Sequence, residues 1–133
     1  AELDLVREIE ARLSSVEERA GVRTSVRVEG NVVQCPTVWR ENLFRITIEA
    51  LNNSLKHAQA HNVTVTLRCD AAAVEVQIKD DGIGFDLQHA RTGGLGLRTM
   101  RERADLLGGT LDILPAPDTG TSLIVRVEKK ETV

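Results

Sequence analysis

Three stretches of the chain alternate apolar and polar residues at the two-residue period of a half-buried strand. Val63, Val65 and Leu67 point one way, while Thr64, Thr66 and Arg68 point the other. Val74, Val76 and Ile78 oppose Glu75, Gln77 and Lys79. Leu123, Val125 and Val127 oppose Ser122, Arg126 and Glu128, with Ile124 breaking the polar set. A sheet built from such strands has one apolar face and one wet face, so its helices lie on one side only. A doubly wound or P-loop sheet buries both faces and needs continuously apolar strands. The pattern therefore predicts an α/β (α+β) chain: a two-layer sandwich, with a mixed, largely antiparallel sheet and about three helices on one face.

The remaining segments supply those helices. Over residues 3–20, Val6, Ile9, Leu13 and Val16 recur at helical spacing, and Gly21 follows as a stop. Val22–Val33 reads as a strand with a Gly30-Asn31 turn. A second helix is expected from Thr37, its N-cap after Pro36, to about His57. Strands at His61–Cys69 and Ala72–Lys79 meet in a turn at Asp70. A glycine-bearing loop over 81–94 leads into a third helix near Leu95–Leu107, ended by Gly108-Gly109. Strands Thr110–Leu114 and Thr121–Glu128 close the chain around a turn over 115–120.

Composition removes several classes of function. A chain of 133 residues favours one core. A formal net charge of -3 argues against a general nucleic-acid binder. Aromatic residues at 2%, with no tyrosine, leave no base-stacking surface for single strands. No apolar run approaches the ~20 residues of a membrane span. Cys35 and Cys69 form no CxxC and read as reduced thiols. The chain opens inside a helical pattern at Ala1, which reads as a piece excised from something longer.

The second helix carries a polar cluster. At about 100° per residue, Phe44, Ile48, Leu51 and Leu55 form the stripe expected to pack on the sheet. Arg45, Glu49, Asn53 and Lys56 form another. Asn52-Asn53 is poor by helix propensity, so another role must favour it. An amide oxygen from Asn53 suits magnesium, which takes hard oxygen donors together with substrate phosphates. Glu49, one turn earlier, can hold a metal-bound or attacking water. Lys56 can reach phosphate oxygens as a point charge. His57 reads two ways, as a packing group at the helix end or as a ligand contact.

A second cluster, Asp80-Asp81-Gly82-Ile83-Gly84, ends a strand. Asp80 shares its face with Val74, Val76 and Ile78, so it should emerge on the helix-covered side. Asp81 should point the other way. An ionised carboxylate only accepts hydrogen bonds, so Asp80 suits the exocyclic amino group of adenine. Gly82 and Gly84 allow close backbone approach. Gly93-Gly94-Leu95-Gly96-Leu97 runs into the third helix, and backbone N–H groups at a helix start favour phosphate. Arg98, Arg101 and Arg103 can add positive charge or sit on a solvated face. No Walker A motif is present.

These motifs together resemble a family. Glu49, Asn53, Lys56 and His57 resemble the N box of the GHKL (Bergerat) ATP-binding fold of gyrase, Hsp90, MutL and the histidine kinases. Asp80-Asp81-Gly82-Ile83-Gly84 resembles its G1 box, Gly94-Leu95-Gly96-Leu97 its G2 box, and Gly120-Thr121 its late glycine-threonine element. The ordered set spans residues 37–128. EALNNSLKHAQA and GLGLRTMRERADLLGG are similar to sensor histidine kinases of the NarX, DesK and LiaS type.

The resemblance implies ATP and Mg2+ as cofactors. Asn53 would bind the metal, Asp80 would read adenine and Lys56 would contact phosphate. His57, Gly82, Gly84, Gly94, Leu95, Gly96, Leu97 and Thr121 would complete the nucleotide pocket. Glu49 stands where the superfamily's ATPases place a general base. The implied partners are the dimerisation and phosphoacceptor domain of the same homodimeric kinase and a response regulator, with no nucleic acid and no membrane contact. The implied setting is cytoplasmic, whether or not the parent is membrane-anchored. Nothing in the chain matches the family's acidic-flanked acceptor histidine, and the first helix has no histidine. The expectation is thus an ATP-binding catalytic domain over 22–133, preceded by a helix over 1–21 that leads from a missing dimerisation domain. Two other readings stay open: a hydrolytic GHKL ATPase with Glu49 as base, and a nucleotide-dependent regulatory module of anti-sigma type.

Overall fold

The computed structural model describes residues 2–30, 36–56, 61–82, 97–116 and 120–129. Helix α1 (Glu2–Ala20) leads into strand β1 (Arg23–Gly30), and helix α2 (Arg40–Lys56) follows. Strands β2 (Asn62–Cys69) and β3 (Ala73–Asp80) come next, then helix α3 (Leu97–Leu106) and strands β4 (Thr110–Ala116) and β5 (Gly120–Glu128). The sheet has five strands in the order β1-β2-β3-β5-β4. β1 runs parallel to β2, and the other pairs are antiparallel. This is the mixed sheet that the alternation predicts.

The predicted faces hold. Val63, Val65, Leu67, Val74, Val76, Ile78, Leu123 and Val125 are buried in one core beneath the helices, and Val127 is buried at the far end of β5. α1 adds Ile9 and Leu13 to that core, and α3 adds Leu97, Met100 and Ala104. The opposite face stays open and carries charge. Glu29, Arg68, Glu75 and Arg126 lie in one row across β1, β2, β3 and β5. They are joined by ion pairs of 2.7 Å (Arg68–Glu29), 3.9 Å (Arg68–Glu75) and 3.3 Å (Arg126–Glu75).

Three local expectations change. Thr37 does not cap α2, because a 3-10 turn over Thr37–Trp39 comes first, with the Trp39 N–H donating to the Pro36 carbonyl at 3.1 Å. The buried stripe of α2 is rotated towards Leu43, Ile46, Thr47, Ala50 and Leu51, while Phe44 and Ile48 are only half-buried. Thr47 tolerates the core because its hydroxyl donates to the Leu43 carbonyl at 2.8 Å. β4 continues to Ala116, through Pro115; it is an edge strand, where a missing N–H costs no ladder bond.

The turns have simple causes. Asp70 Oδ1 accepts the N–H groups of Ala72 and Ala73 at 2.8 and 2.9 Å and closes the β2–β3 hairpin. α3 ends on Gly108, whose φ of 71° suits glycine. There the Gly109 N–H reaches back to the Ala104 carbonyl and the Gly108 N–H to the Asp105 carbonyl, at 2.9 Å each. Cys69 is buried at the end of β2, and Cys35 lies outside the described residues.

Candidate functional site

Asp80 ends β3 on the covered face, where the apolar row of that strand runs out. It lies in register with Val63 of β2 and Thr121 of β5, and its side chain is buried, at 3% exposure. Its Oδ1 accepts the Gly82 N–H at 3.0 Å and the Thr121 N–H at 3.3 Å. Those bonds fix the carboxylate and draw the start of the following loop over it. Gly82 itself is buried. Gly120 lets β5 close on this point: its φ is 108°, and a Cβ there would run into the Asp80 carbonyl oxygen.

Beside Asp80, the Thr121 hydroxyl is buried and has no hydrogen-bond partner among the described residues. An orphaned buried hydroxyl costs about 1–3 kcal/mol. A buried acceptor next to an unsatisfied hydroxyl suits a polar ligand edge.

Asp81 has the opposite surroundings. It is exposed, yet its carboxylate reaches across to the start of β2. Its Oδ1 accepts the His61 and Asn62 N–H groups at 2.8 Å each, and its Oδ2 accepts Asn62 Nδ2 at 2.7 Å. The Asn62 side chain, followed by the Asn62 backbone, holds the Asp81 carboxyl down to about 2. Asp81 is a clasp between strands. Asn62, its main partner, was not singled out in the sequence, and the only local signal was a polar residue opening an apolar strand.

The polar stripe of α2 borders, through Arg45 and Glu49, a cleft between α2 and α3. The cleft has a volume of about 310 Å3 and is lined by Arg45, Ile48, Glu49, Asn52, Thr99, Met100 and Arg103. Glu49 is half-buried there, and Asn52, not assigned a role from the sequence, joins it. Asn53 and Lys56 follow on α2 within two turns of Glu49, but their side chains lie outside the described part of the structure, as do His57, Gly84, Gly94, Leu95 and Gly96. Leu97 opens α3 with its side chain in the core, at 7% exposure. Among the described residues no cluster of three or more His, Cys, Asp or Glu forms a metal cage. The oxygen donors on the α2 wall, a carboxylate and an amide, fit magnesium, which takes few protein ligands alongside phosphate oxygens.

The three arginines of α3 separate cleanly. Arg98 is exposed and pairs with Glu102 at 3.3 Å. Arg101 Nη1 donates to the Leu111 carbonyl at 3.1 Å and ties α3 to β4. Arg103 lines the cleft, with its Nη1 donating to Asn42 Oδ1 at 3.0 Å. No helix among the described residues is long and apolar enough to cross a membrane.

The family described as "Histidine kinase-, DNA gyrase B-, and HSP90-like ATPase" matches residues 40–131. The signal transduction histidine-protein kinase/phosphatase DegS of Brevibacillus brevis is 33% identical over 126 residues, covering 95% of this chain and 33% of that protein. The sensor protein VraS of Staphylococcus haemolyticus is 40% identical over 86 residues, covering 65% of this chain and 25% of that protein. The chain thus spans between a quarter and a third of the length of these relatives. Among solved structures, the histidine kinase domain of the blue-light activated histidine kinase from Erythrobacter litoralis shares the fold. Its TM-score is 0.71 at 24% identity, over 92% of this chain and 58% of that one.

Proposed function

The chain belongs to the histidine kinase-, DNA gyrase B- and HSP90-like ATPase family, and on that premise we propose that it is the catalytic domain of a sensor histidine kinase, binding Mg-ATP and passing the γ-phosphoryl group to a histidine on a dimerisation domain. The observation that carries this is the buried pair Asp80 and Thr121 at the end of the sheet. An ionised Asp80 accepts a hydrogen bond from the adenine amino group and disfavours a guanine carbonyl in the same place. The orphaned Thr121 hydroxyl is the group that a base edge, or a water bound to it, satisfies.

The phosphate side belongs to α2. Lys56 neutralises phosphate charge, and Asn53, with Glu49 one turn before it, would hold magnesium. When bound, the ion supplies charge neutralisation at the β- and γ-phosphates. The chain's own residues act by placement: they hold the base, fix the phosphate tail and present the γ-phosphorus to a neutral imidazole nitrogen. The P–N bond forms as the bond to the β–γ bridging oxygen breaks, and ADP leaves. Such transfer needs alignment and electrostatic support more than covalent help from the protein. The relatives named as a histidine-protein kinase and a sensor protein support this reading. It implies a response regulator as the downstream partner and a cytoplasmic site of action.

The test supplies a histidine-bearing dimerisation domain in trans with γ-labelled ATP. Acid-labile, alkali-stable label on that domain is the expected result. ATP binding without phosphohistidine would mark a regulatory binding module instead. ATP turnover by the chain alone, lost in Glu49→Gln, would mark a hydrolytic ATPase.

A further inference from the structure

We infer that Arg103 receives the terminal phosphate of the bound nucleoside triphosphate, reaching it from α3 across the cleft that Glu49 and Asn52 line on α2. This rests on the nucleotide-site reading above and picks out one of three α3 arginines that the sequence alone leaves alike.

Three observations converge on it. The cleft, at about 310 Å3, sits at the low end for small-molecule pockets, which run from about 300 to 1,000 Å3. It has room for a phosphate tail and not for a whole nucleotide, which agrees with a base held separately beside Asp80. Next, of the two arginines that line the cleft, Arg103 is the one without an ion pair among the described residues. Arg45, on the other wall, is paired with Glu41 at 3.0 Å. Arg103 is half-buried and makes no ion pair among the described residues; its one bond is to the neutral Asn42 amide oxygen. Finally, that bond uses one Nη1 donor and tethers the guanidinium to α2, leaving its other donors as a planar fork. A fork of that kind matches phosphate oxygens in pairs, which a lysine ammonium cannot do. Glu49 lines the same cleft without pairing to Arg103, so the carboxylate does not already neutralise the guanidinium.

Titration calorimetry of the chain with ATP and with ADP, both with magnesium, tests the assignment. Arg103→Gln should weaken ATP binding by about ten- to a hundredfold, the range of a charge-assisted hydrogen bond, and ADP by less than about threefold. Asn42→Ala, which unties the fork but keeps its charge, should lose part of the ATP preference only. If the Gln variant does not fold, Arg103→Lys carries the same comparison, since the charge stays and the fork is lost. Equal losses for ATP and ADP, or no loss for either, would overturn the assignment. Wild-type chain that binds ADP but shows no preference for ATP would overturn it while leaving the nucleotide site standing. Wild-type chain that binds neither would overturn the site and this role together.

Discussion

The two faces of the sheet use the same strands for opposite purposes. On the covered face, each second residue disappears into an apolar core, and the row on β3 ends in one buried carboxylate, Asp80. On the open face the intervening residues form an ion-pair relay from Glu29 through Arg68 and a half-buried Glu75 to Arg126. Charge is plentiful where water screens it and scarce where it does not. A carboxylate on the covered face is therefore expensive to keep, and its retention points to function. Asp80 and Asp81 are neighbours in sequence, yet one belongs to each regime.

The contrast breaks most sharply at adjacent positions of β2. Leu67→Ala should cost about 2–5 kcal/mol, because a fully buried leucine leaves a cavity in a packed core. Urea unfolding measures it, and a loss below about 1 kcal/mol would mean that the covered face is not the core. Asp80→Asn comes next and acts on binding. Asparagine keeps an oxygen for the Gly82 and Thr121 N–H groups, so the melting temperature should move little. ATP affinity should fall by about ten- to a hundredfold. Unchanged affinity would sink Asp80 as the base-reading residue.

Arg68→Ala gives the open-face counterpart. Its pair with Glu29 is exposed, and its longer contact reaches a half-buried Glu75 on the open face; surface pairs of that kind contribute about 0–1 kcal/mol. The same urea experiment should show a loss under about 1 kcal/mol that shrinks further as salt is added. A loss as large as that of Leu67→Ala would show that the relay, and not the core, holds the sheet.

Much of this was legible before the structure. Strand parity alone sends Asp80 under the helices and Asp81 away from them, because the side-chain period of a strand admits no other choice. Parity also gives the single covered face. The rotation of α2 was not legible: Thr47 and Ala50 face the core in place of the larger Phe44 and Ile48, and a local apolar count misses a threonine that satisfies its own hydroxyl. The 3-10 turn before α2 and the run of β4 through Pro115 depend on neighbours that no local window contains. In the site, Arg98, Arg101 and Arg103 look alike along the helix. Only the packing of α3 against α2 and β4 assigns them to solvent, to a carbonyl and to the cleft. The role of Asn62 is likewise invisible locally, since its contact with Asp81 spans 19 residues.

That clasp makes the mildest prediction. Asp81 in the folded chain sits at about 2, below its ordinary 3.8, chiefly because the Asn62 side chain and backbone donate to it. A depressed carboxyl stabilises the fold above its unfolded value and loses that contribution as pH falls through its folded one. The urea midpoint of the wild type should therefore exceed that of Asp81→Asn near neutral pH. The gap should narrow between 3.8 and about 2. The effect is modest, because the group is exposed and solvent screens it. Asp70, whose carboxylate is also lowered, mainly by the Ala73 N–H, titrates in both proteins and cancels in the difference. A gap that stays constant down to the acid limit would mean that the Asp81 bonds do not distinguish its charged from its neutral form. The clasp would then be a matter of shape alone.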